Sequence, residues 1–138
     1  METAARFFDH AQKKLRQVLE HEMPNIQAAA ELVTRSCAEG GKFYVFGSGH
    51  SHMVAEELYL RAGGLALVHA ILPPELMVHE MPNKSTYLER MEGYSQAIVE
   101  LYRLEARDTI LVISNSGRNA VPVEMCLAAK VKGAKVIA

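Results

Sequence analysis

The chain is poor in cysteine: Cys37 and Cys126 are its only two. Neither sits in a metal-ligand spacing, and two thiols make no disulfide framework, so a stapled secreted scaffold is excluded. Both fall in helical patterns and read as buried free thiols of a reducing cytoplasm. No apolar run reaches the length that crosses a bilayer. The first residues, METAARFFDHAQKKLRQ, lack the apolar core of a secretory signal. An excess of either sign of charge is lacking too, with 15 Lys and Arg against 16 Asp and Glu. The formal net charge is −1, which argues against a general nucleic-acid or membrane-surface binder. There is no repeat and no low-complexity tract.

What remains is an ordinary globular composition, 49% apolar and 22% charged over 138 residues, enough for one domain with a real core. Phe7/Phe8, Ala11, Leu15 and Val18/Leu19 recur with helical period. Pro24 suits the first turn of a second helix, and Glu39-Gly40-Gly41 stops it. These two leading helices (residues 1–41) are expected to form a hairpin that packs beside a core or a partner subunit.

From residue 42 the period changes. Residues 42–46, 65–72, 108–114 and 134–138 are short apolar runs. Helical patterns over 52–62 and 121–133 lie between them, and Thr86-x-x-Glu89 reads as a capping box opening one long helix to about residue 105. The expected order is ααβαβαβαβ. Apolar strands alternating with helices predict a parallel sheet covered on both faces, in a domain spanning 42–138. Because the last run is a strand with no helix to cover it, the chain is expected to be the N-terminal part of a longer protein, with the C-terminal part of the domain missing.

Loops that leave the carboxyl ends of parallel strands carry ligands. Two such loops are rich in Gly and Ser: Gly47-Ser48-Gly49-His50-Ser51 and Ser114-Asn115-Ser116-Gly117-Arg118-Asn119. Free backbone N–H groups, a helix dipole and serine hydroxyls hold an anion without needing a lysine, and Arg118 adds a charged contact or a lid. A dinucleotide loop is disfavoured, because His52 stands where the third glycine belongs and no acidic residue ends the second strand. A Walker loop is absent. No cofactor and no metal is expected.

These paired loops resemble the phosphate loops of the SIS (sugar isomerase) phosphosugar-binding domain, over about residues 1–138. The stretches GSGHSHMVAEELYLRAGGLA and SNSGRNAVPVE are similar to a phosphoheptose-isomerase-like group within that family. The resemblance implies a flavodoxin-like three-layer α-β-α sandwich with a five-stranded sheet. It also implies a hexose- or heptose-phosphate ligand, and homo-oligomers, dimers or tetramers, that complete one another's sites. Ser51, Ser114 and Ser116 would hold the phosphate, with backbone help from Gly49, Asn115 and Gly117.

Two departures from the family pattern are visible. Asn119 replaces a Thr or Ser, and it still donates and accepts. Arg61 falls where the family's enzymes carry a catalytic Glu on the helix after the first loop, and arginine is no base at pH 7. The candidates left for acid–base work are His50 in the first loop, Glu57 one turn before Arg61, and the adjacent His79 and Glu80, in a loop stiffened by Pro73 and Pro74. Glu56 and Glu57 point in different directions along the helix, and Arg61 can pair with Glu57. The function expected is phosphosugar binding with aldose–ketose isomerisation; the alternative is a phosphosugar-sensing module without turnover.

Overall fold

The computed structural model describes residues 2–138, Pro82 by its backbone alone. The chain divides into two units, one ending at Leu32 and one running from Val33 to Ala138.

In the first unit, α1 (Glu2–His21) buries none of its residues, and its Phe7, Phe8, Leu15 and Leu19 are exposed. The helix α2 (Met23–Ala38) begins with Pro24 in its first turn, as the sequence predicts. Only Glu22 separates the two helices. Its N–H donates to the Val18 carbonyl at 2.8 Å, and Ile26 N–H donates to the Glu22 carbonyl at 2.9 Å. The junction is thus one residue with helical bonds on both sides, shorter than the loop of a helical hairpin.

The second unit is built on four parallel strands: β1 (Phe43–Gly47), β2 (Val68–Ile71), β3 (Thr109–Ile113) and β4 (Lys135–Ile137). Their spatial order is β2-β1-β3-β4, the first four strands of the flavodoxin-like order. Phe43 aligns with Val68 on one side and Thr109 on the other. The chain steps outward from β1 to β2, then returns to the other side of β1. That reversal makes β1 and β3 the switch point, and the crevice beyond their carboxyl ends is where such sheets bind ligands.

Alternation along each strand assigns the two faces. Tyr44, Phe46, Ile110 and Val112 point into the larger core, which Ile98, Val99, Val121, Met125 and Ala129 complete. Ile98 and Val99 come from α5 (Tyr94–Tyr102), the others from α6 (Ala120–Val131). Val45, Leu111 and Ile113 face the other way, toward Ala55 and Leu58 of α3 (His52–Leu58). Helices on both faces complete the α-β-α layering.

The amino ends of β1 and β3 are tied by Asp108, which is buried; its carboxylate accepts from Lys42 N–H and from Glu105 N–H, both at 2.8 Å.

Two helices differ from expectation. The pattern over 52–62 is helical only to Leu58. The long helix expected from Thr86 to about residue 105 is two, α4 (Pro82–Leu88) and α5. The break has a local cause and a tertiary one. Gly93 takes φ +80°, a left-handed conformation that cannot continue a helix and that glycine adopts without strain. Glu89, read from sequence as the reciprocal partner of a capping box, instead accepts a hydrogen bond from Ser48 Oγ, forty-one residues away in the chain, at 2.9 Å. The tertiary bond takes the side chain that the local cap would have used.

Candidate functional site

Both Ser/Gly loops open from the switch point. The first turns sharply at Gly47, the last residue of β1. A side-chain carbon there would lie 2.4 Å from the Ser51 carbonyl oxygen, so only glycine allows the backbone to fold back this closely. Residues 49–51 form one 3-10 turn that runs directly into α3. His52, the first residue of α3, is fully buried; its Nδ1 lies 3.2 Å from the Gly47 carbonyl oxygen. A ring nitrogen that meets a carbonyl carries the proton, so His52 holds the start of the loop from below. Its Nε2 has no hydrogen-bond partner and stands 3.8 Å from Glu56 Oε1. Burial pushes its pKa below the ordinary histidine value, opposed by the Gly47 contact and by Glu56.

The second loop follows β3. Gly117 N–H donates to Ser114 Oγ at 3.0 Å, which closes the loop on itself. Asn119 takes extended angles as the N-cap of α6, so the open end of a twelve-residue helix follows the loop directly.

The loops converge on one cavity of about 480 Å³, within the usual size range of small-molecule sites. Ser48, Gly49, His50 and Ser51 line it from the first loop; Ser114, Asn115, Ser116 and Asn119 line it from the second. Most of the residues singled out from sequence are therefore brought together. Gly47 and Gly117 shape the loops rather than line the cavity, and Arg118 is exposed and outside the lining. None of the lining residues is Lys or Arg.

The proposed acid–base residues separate. His50 lines the cavity. Glu57 is exposed and paired with Arg61, the partner its i, i+4 spacing suggests. His79 and Glu80 are exposed and outside the lining, although they follow β2. Glu80 pairs with Lys84 at 2.7 Å, and that bond holds its carboxyl below the usual range.

The rest of the wall comes from the loop after β2, which the sequence places at this edge through His79 and Glu80, and from α4 and the residue after it, but through other side chains than those two. Val78, Ser85, Thr86 and Glu89 close the cavity from α4 and the loop before it. Glu89 is tied to both loops' elements: its carboxylate accepts from Ser48 Oγ, and its carbonyl accepts from Val121 N–H, in the first turn of α6, at 3.0 Å. The signal that could have found it is Gly93. A glycine four residues beyond Glu89 interrupts a helical pattern; α4 ends at Leu88 and Gly93 precedes α5, and a carboxylate at such a break is free to turn inward. Among the described residues no group of three His, Cys, Asp or Glu side chains could hold a metal ion, and no helix is long and apolar enough to cross a membrane.

A parallel α/β domain whose two Ser/Gly loops meet at the switch point has the arrangement in which such sheets bind ligands. Residues 6–138 match the model of the SIS domain. The chain belongs to the SIS domain family. It is 60% identical over 124 residues to a UPF0309 protein of Halalkalibacterium halodurans, an alignment that covers 90% of this chain and 51% of the relative. A second UPF0309 protein, from Thermoanaerobacter pseudethanolicus, is 46% identical over 134 residues, 96% of this chain and 54% of the relative. The chain thus spans about half the length of the curated relatives it matches. The fold is similar to that of phosphoheptose isomerase from Neisseria gonorrhoeae, with a TM-score of 0.72 at 22% identity, covering 98% of this chain and 71% of that one.

Proposed function

We propose that the cavity binds a phosphorylated sugar and that the protein is a sugar-phosphate isomerase of the aldose–ketose type. The observation that carries this reading is the meeting of two independent Ser/Gly loops in one cavity. Ser51, Ser114 and Ser116 supply hydroxyl donors, the backbone of Gly49 and Asn115 adds N–H groups, and the N-terminus of α6 adds its dipole. This set, hydroxyl and N–H donors at the start of a helix with no lysine or arginine in the lining, is of the kind by which loops and helix N-termini hold a phosphate. The cavity exceeds what a bare phosphate needs, which leaves room for the sugar. Membership of the SIS family and the fold shared with a phosphoheptose isomerase support the same ligand class.

A second reading is favoured by one specific observation. Arg61, at the position of the family enzymes' Glu, pairs with Glu57 away from the cavity, which suits a sensor that binds without turnover.

Thermal melting tests the binding claim. A sugar phosphate at 100 times its Kd is expected to raise Tm by about 5–10 °C, while the unphosphorylated sugar leaves it unchanged. Equal shifts with both, or with neither, would count against a phosphate site. Deuterium uptake into the bound sugar separates isomerase from sensor.

A further inference from the structure

Arg61, at the position of the family enzymes' Glu, lies beyond the end of α3 and outside the cavity lining. We propose that Glu89 is the general base of the isomerase, acting from the α4–α5 junction rather than from α3. The proposal rests on the phosphosugar reading above and names the group that would make the site catalytic.

Four observations converge on it. Glu89 and His50 are the only titratable residues among those that line the cavity, and Glu89 is the only carboxylate. Its position is fixed from two directions, by Ser48 Oγ on its carboxylate and by Val121 N–H on its carbonyl. It is half-buried, so one side faces the protein and one the cavity. Among the described residues, each ion pair employs another acid: Glu56, Glu57, Glu80, Glu100 or Glu105. A carboxylate that accepts one hydroxyl hydrogen bond keeps further lone pairs for a substrate proton.

Charge sets the orientation of the ligand. A phosphate repels a carboxylate, so the phosphate belongs against Ser114 and Ser116 and the sugar's carbonyl end against Glu89. From there the carboxylate takes the proton on the carbon beside the carbonyl. The C–H electron pair becomes the carbon–carbon double bond of an enediolate, and the carbonyl pair moves onto oxygen. The neighbouring hydroxyl gives its proton to that oxygen, and Glu89 returns its own proton to the former carbonyl carbon. Aldose and ketose interchange with no oxidant or reductant consumed.

The test compares the full-length wild-type protein with Glu89→Gln and Glu89→Asp, using fructose 6-phosphate and ribulose 5-phosphate in deuterated water. Two readouts are kept apart: the ligand-induced rise in Tm, and deuterium incorporation at the sugar carbon by NMR. Gln keeps an oxygen for Ser48 but cannot accept the proton, so Glu89→Gln should retain the rise in Tm and lose exchange by about 100-fold or more. Glu89→Asp, with the acid set back, should bind and exchange more slowly than wild type; it carries the test if the Gln variant does not fold. Exchange by Glu89→Gln within a few-fold of wild type would overturn the proposal. So would wild-type protein that binds either sugar phosphate without exchanging its protons, an outcome that leaves the binding reading standing. Absence of any rise in Tm for the wild type would remove the phosphosugar reading and the proposal with it.

Discussion

At the scale of single residues, the first loop depends on two positions outside the cavity lining. Gly47 folds the chain back so closely that a methyl group would strike the Ser51 carbonyl. Gly47→Ala must displace backbone, not a flexible side chain, so it should cost about 1–3 kcal/mol of stability. It should also abolish the phosphosugar-induced rise in Tm, and urea melts with and without ligand read both effects. His52 acts through charge. Burial lowers its folded pKa below 6.5, the ordinary histidine value, with Gly47 and Glu56 opposing that shift and His79 adding to it. Below that value the unfolded chain binds a proton that the folded protein resists. His52 therefore contributes no penalty above 6.5 and costs stability as pH falls through it toward the folded pKa. The urea midpoint should drop between about pH 7.5 and 5.5, and His52→Gln should flatten that drop. An unchanged slope in the variant would assign the pH dependence to other groups.

At the scale of elements, the sequence reading succeeded where one local rule decided the outcome. Continuous apolar runs between Gly and Pro signals located the four strands, most plainly β1 and β3 at the centre of the sheet, which are covered on both faces and have no reason to alternate. It failed at α4 and α5, where the local rule and the tertiary structure competed. Thr86 and Glu89 have the spacing of a capping box, but Glu89 bonds to Ser48 across the cavity, and Gly93 breaks the helix. The same competition explains the site. Loop residues such as Ser51 and Ser116 could be read as lining one cavity because two Gly/Ser loops end two strands of one sheet, a pairing that a structural turn does not predict. Glu89 was illegible because its role depends on a contact forty-one residues distant. Glu57, His79 and Glu80 were plausible by chemistry, yet helix phase and loop direction leave them facing solvent. Asp108 offers a separate check on how the sheet is held. Removing its carboxylate leaves Lys42 N–H and Glu105 N–H without their acceptor, so Asp108→Ala should destabilise by about 1–3 kcal/mol for each stranded group. It should leave ligand affinity nearly unchanged, because the residue lies at the end of the sheet opposite the loops.

At the scale of the whole molecule, the order of the strands makes the site. Stepping out to β2 and back past β1 to β3 places two loops side by side that are separated by more than sixty residues of sequence. Neither loop alone distinguishes a ligand cradle from a turn; together with the wall from α4 they enclose a cavity of about 480 Å³. The proposal that this cavity receives a phosphorylated sugar can be tested by an amide NMR titration with fructose 6-phosphate. Shift changes are predicted to concentrate at Gly49, Ser51, Asn115 and Ser116, with weaker changes at Glu89. Saturable changes centred on other residues, or no saturable change at all, would contradict it.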